Sequence, residues 1–122
     1  MTQTGCSTGC SAEFTEPFAL RVIGDSMQPE FCDGHIIIVD PAHPPCHGAY
    51  VVVDYGGEVI LGRYSVEGQR VWLRYLHPGH DDVELIPPYE IKGVVIQRAG
   101  RRRREHKHYD YSDRLEVSAP GP

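Results

Sequence analysis

Phe18–Asp40 reads FALRVIGDSMQPEFCDGHIIIVD, and this stretch decides the fold. An apolar, β-branched run ends at Gly24-Asp25-Ser26-Met27. A short loop follows, and the Asp33-Gly34 turn opens a second apolar run. Runs of this length bounded by Gly and Asp read as strands. β-Branched side chains fit a pleated surface, and glycine supplies the positive φ that tight turns need. The texture repeats downstream. Candidate strands are Phe18–Ile23, His35–Asp40, Ala49–Tyr55, Glu58–Ser65, Gln69–Leu76, Val83–Ile86 and Ile91–Arg98. Gly56-Gly57 between two apolar runs predicts a two-residue hairpin. No window keeps a helical period, and ten prolines with thirteen glycines disfavour long helices. An all-β domain is expected.

Working outward, 122 residues suffice for one core. Residues 1–16, rich in Thr, Ser and Gly, read as a flexible arm. Residues 17–98 form the folded body, and residues 99–122, which lose the alternation, form a polar tail. The net charge of −5 is unevenly spread. Through Gln97 there are five basic and thirteen acidic residues, and from Arg98 onward seven basic and four acidic. An acidic body does not adhere to nucleic acid by electrostatics alone. The apolar runs are strand-sized, far below the ~20 residues of a membrane-spanning helix, and no secretory leader is visible. A cytoplasmic protein with reduced thiols is the expectation.

The Gly24-Asp25-Ser26-Met27 segment and the Asp33-Gly34 turn resemble the peptidase domain of the LexA-like family, which includes phage repressors and the mutagenesis protein UmuD. So do Cys46-His47-Gly48-Ala49-Tyr50-Val51-Val52-Val53, Gly57-Glu58-Val59-Ile60-Leu61 and Gly93-Val94-Val95-Ile96. The segments keep their order over Phe18–Arg98. Type I signal peptidases share this core, and Ser26-Met27-Gln28-Pro29 also fits their serine box. They carry a membrane anchor and a second β-domain, so the LexA-like branch is the better match. The resemblance implies curled antiparallel sheets, Ser26 as the nucleophile position, and dimerisation through the last strand, with Gly93, Val94, Val95 and Ile96 at the interface. It also implies protein partners such as a DNA polymerase or the recombinase filament of the SOS response.

One departure governs the functional reading. A serine hydroxyl needs a base to take its proton, and the family uses a neutral lysine directly after the run that here reads Glu58-Val59-Ile60-Leu61. That position is Gly62, followed by Arg63, whose guanidinium keeps its proton. Only Lys92 and Lys107 exist in the chain. Substitute bases would be Lys92, His35 or His47. Self-cleavage in the family also uses a hinge well upstream of the serine, and only twenty-five residues precede Ser26. The sequence therefore resembles the processed form of UmuD, without a helix-turn-helix.

The leading expectation is a stand-alone LexA/UmuD-like regulatory module, a pseudopeptidase acting through homodimerisation and partner binding, with no cofactor. One alternative is an active serine peptidase using Ser26 with a non-lysine base. Another is a metal- or redox-sensing protein built on Cys6 and Cys10, with His106 and His108 as further ligands. Cys32 and Cys46 flank one strand and should lie on the order of 20 Å apart, too far to share that site. Arg101, Arg102, Arg103 and Arg104 offer an electrostatic contact to nucleic acid or an acidic partner. Met27 reads as core filler.

Overall fold

The computed structural model describes residues 16–111. Among these residues the strands are β1 (Phe18–Arg21), β2 (Ile36–Asp40), β3 (Tyr50–Tyr55), β4 (Glu58–Glu67), β5 (Arg70–Arg74), β6 (Val83–Glu84), β7 (Glu90–Ala99) and β8 (Lys107–His108), with a 3₁₀ turn at Arg103–Glu105. All pairings are antiparallel, in the order β1-β2-β7-β3-β4-β5-β6, with β8 added to β7. The first seven strands fall where the alternation of the sequence predicts them. Gly56 and Gly57 make the β3–β4 hairpin, both with positive φ (63° and 88°), between the paired residues Tyr55 and Glu58. These are the conditions of a primed turn, whose twist matches that of the strands it joins.

The curled sheet buries both of its faces. Val52 points into one cluster with Met27, Phe31, Ile37, Val39 and Val95. Its neighbours Val51 and Val53 point into a second cluster with Ala49, Leu73, Leu85, Val94 and Tyr111. The period-2 alternation of a strand produces this division, and burial on both faces explains the unbroken valine run of β3.

Two expectations change. β7 is not an open edge. β2 pairs along one side of it, and β3 and then β8 pair along the other. Val94 and Val95 are fully buried. Gly93 is the point of closest approach, since a Cβ there would lie 2.6 Å from Val39 Cγ1. Gly93, Val94, Val95 and Ile96 thus form the middle of the sheet, and a second copy cannot add a strand there.

Residues 99–111 also do more than trail from the body. β8 pairs Lys107 with Arg98 and His108 with Gln97. Tyr111 is 2% exposed and donates from its hydroxyl to Val95 O at 2.8 Å. The aromatic side chains of Tyr109 and Tyr111 supply the burial that fixes this segment. Residues 1–15, with Cys6 and Cys10, and residues 112–122 lie outside the described residues.

Candidate functional site

Ser26 sits in the turn between β1 and β2. Gly24 enters the turn at φ +91°, and its amide donates to Asp33 Oδ1 at 2.7 Å. Gln28 N donates to Asp25 O at 3.1 Å and Phe31 N to Met27 O at 2.9 Å. Met27 (1% exposed) and Phe31 (0%) plug the turn into the first cluster, so Met27 is core, as its residue type suggests. The Ser26 carbonyl accepts from both Leu76 N (3.1 Å) and His77 N (3.0 Å), which pins the turn to the loop after β5. Ser26 faces a cleft of about 560 Å³ walled by Leu20, Val22, Ile37, Val52, Leu61 and Tyr75, with Asp25, His80 and Asp81 among its polar lining.

The β4 wall of this cleft is apolar. Leu61, the partner of Val52, lines it. Gly62 pairs with Val51 and faces the second cluster, where a Cβ would lie 2.4 Å from Leu73 Cγ. The strand therefore presents a leucine to the cleft and a glycine, closed over by Leu73, to the other face, so a side chain at residue 62, the expected lysine position, would point away from Ser26. Neither lysine lines the cleft. Lys92 Nζ donates to Glu90 at 3.2 Å, and Lys107 Nζ donates to Glu30 at 2.9 Å.

The two histidines singled out as substitute bases are engaged elsewhere. His35 Nδ1 accepts from Cys32 N at 3.0 Å, and its Nε2 meets Glu105 Oε1 at 3.2 Å. His47 Nδ1 accepts from Val66 N at 3.0 Å. Among the described residues, no imidazole or amine nitrogen is hydrogen-bonded to the Ser26 hydroxyl. Two histidines that the sequence reading passed over do reach its immediate neighbour. His80 Nε2 lies 3.0 Å from Asp25 Oδ1, and His77 Nδ1 lies 4.0 Å from Asp25 Oδ2. The only signal in the sequence was His77-Pro78-Gly79-His80, which reads as a turn; its partner Asp25 is more than fifty residues away.

Behind the turn lies a charged cluster. Glu30 Oε2 accepts from Tyr109 Oη (2.6 Å), Lys107 Nζ (2.9 Å) and Arg98 Nη1 (3.3 Å). Partial burial pushes the Glu30 pKa up. The hydrogen bonds from Tyr109 and Lys107 and the charges of Lys107 and Arg98 outweigh that, so it settles below its ordinary value. Burial and the bond to Glu30 raise the Tyr109 phenol. Arg101–Arg104 is exposed along its length at the end of β7. Cys32 is half-buried, its thiol 3.8 Å from Pro29 O.

A curled antiparallel sheet with a serine-bearing turn at the mouth of an apolar cleft is the framework of a LexA-type serine peptidase domain. A family model described as Peptidase S24-like matches residues 7–96, and the chain belongs to that family. The prophage repressor CohE of Escherichia coli (strain K12) is 36% identical over 90 residues, covering 70% of this chain and 40% of the repressor. The HTH-type transcriptional regulators for the conjugative elements SXT (Vibrio cholerae) and pMERPH (Shewanella putrefaciens) are each 33% identical over 87 residues. They cover 66% of this chain and 40% of their own length. The chain thus spans 40% of the length of these relatives. No helix among the described residues is long and apolar enough to cross a membrane.

Proposed function

We propose that this chain is a LexA/UmuD-like regulatory module that keeps the S24 peptidase fold without its self-cleavage chemistry. In this reading it works in the cytoplasm by pairing with a second copy and binding a protein partner. The observation that carries the reading is the apolar β4 wall, with Leu61 in the cleft and Leu73 packed over Gly62. Loss of a general base typically costs ~10²–10⁴ in rate, which silences a slow intramolecular reaction. The likeness to a prophage repressor and to transcriptional regulators supports a role in controlling gene expression. A polymerase or recombinase partner in a stress response rests on the resemblance to UmuD alone. The exposed Arg101–Arg104 run suits an acidic protein face or nucleic acid.

The test is labelling with a fluorophosphonate probe at alkaline pH, comparing the native chain with Ser26→Ala. No Ser26-dependent labelling is expected. The second reading is an active serine peptidase, and the Asp25–His80 pair next to Ser26 is what favours it. Labelling that disappears in Ser26→Ala and in His80→Ala would establish it and overturn the first.

A further inference from the structure

We propose that Asp25, His77 and His80 form a binding site for one divalent transition-metal cation of the Zn²⁺ type. The three side chains offer one carboxylate oxygen and two imidazole nitrogens, all within 4.8 Å of one another. Zn–N and Zn–O bonds of ~2.0–2.2 Å in a tetrahedron place neighbouring donors about 3.3 Å apart. The observed spacings from Asp25, 3.0 Å to His80 Nε2 and 4.0 Å to His77 Nδ1, bracket that value.

A second observation separates this cluster from an ordinary surface ion pair. His77 Nδ1 is buried and has no hydrogen-bond partner, although the rest of its side chain is 37% exposed. Leaving a buried polar atom unsatisfied is destabilising, and an ion held between Nδ1 and the Asp25 carboxylate satisfies it. The site is also held in place by the backbone. Ser26 O accepts from Leu76 N and His77 N, tying the Asp25 turn to the histidine loop before any ligand binds. Three protein donors leave a fourth position to water. Two imidazoles and one carboxylate select Zn²⁺ and its transition-metal neighbours over Mg²⁺ or Ca²⁺, which prefer oxygen ligands.

The experiment uses the full chain without a histidine tag, titrated with Zn²⁺ against a chromophoric chelator and then with Co²⁺ for its absorption spectrum. One equivalent is expected to bind and raise the melting temperature, and excess Mg²⁺ is expected not to compete. The Co²⁺ complex should show d–d bands without a thiolate charge-transfer band. The Cys6→Ser/Cys10→Ser double variant should bind as the native chain does. His77→Ala, His80→Ala and Asp25→Asn should each weaken binding by at least ~10-fold, since even outer-shell losses cost that much. His80 sits on an exposed loop, so His80→Ala tests the site without risk to the core, and the Co²⁺ spectrum needs no variant. Absence of binding, unchanged affinity in both histidine variants, or a thiolate band that vanishes with Cys6 and Cys10 overturns the proposal.

Discussion

Leu73, the cross-strand partner of Tyr64, leans diagonally over residue 62 at the second cluster and occupies the volume that a side chain there would need. Gly62→Ala is therefore expected to destabilise by about 1–3 kcal/mol through overpacking. Leu73→Ala alone should cost ~2–5 kcal/mol. In the double variant the two losses should fall short of additivity by ~0.5–3 kcal/mol. Urea denaturation of the four proteins measures this, and strict additivity would mean that the two sites do not share space. Glu30 makes a prediction in pH. Its folded pKa lies below the ordinary 4.5, so its contribution is present above that value and is lost as pH falls through the lower folded value. Glu30→Gln should lose ~1–3 kcal/mol near neutrality, and the gap to the native chain should shrink on acidification. Chemical denaturation at a series of pH values gives the comparison. The sequence announces Ser26 because it belongs to a contiguous motif. It is silent on Glu30 with Lys107 and Tyr109, and on Asp25 with His80, because their partners are joined only by the fold, 55 to 79 residues apart.

At the level of elements, β1 to β7 could be read from alternation and glycine turns, since each repeats a local rule of the chain. β8 could not. It is two residues long, both exposed, and it is held by its pairing to β7 and by the tyrosines that follow. Tyr111 is the anchor. Tyr111→Ala should cost ~3–5 kcal/mol, as for a fully buried aromatic residue. Tyr111→Phe should cost ~0.5–1.5 kcal/mol for the bond to Val95 O. Hydrogen exchange supplies a second readout: the Tyr109 amide, which donates to Ile96 O at 2.9 Å, should lose protection in Tyr111→Ala while the β3–β4 amides keep theirs. Uniform loss across the sheet would mean that the segment is not a separable unit.

For the whole molecule, the order of strands decides where a second copy can attach. Among the described residues β7 lies between β2 and β3, so pairing by strand addition has to use an edge elsewhere, such as the outer side of β1. Val94→Asp is accordingly expected to unfold the chain, not to release a folded monomer, because it buries an unpaired charge in the core. Circular dichroism with size-exclusion chromatography distinguishes the two, and a folded monomer would restore β7 as the contact. The same strand order bears on how the protein is made. By the time residues 90–99 leave the ribosome, β1–β2 and β3–β6 have already emerged as two pieces, each offering a bare strand to the missing one. The sheet closes only when its keystone arrives late, so translation exposes two sticky borders for as long as that last segment takes to follow.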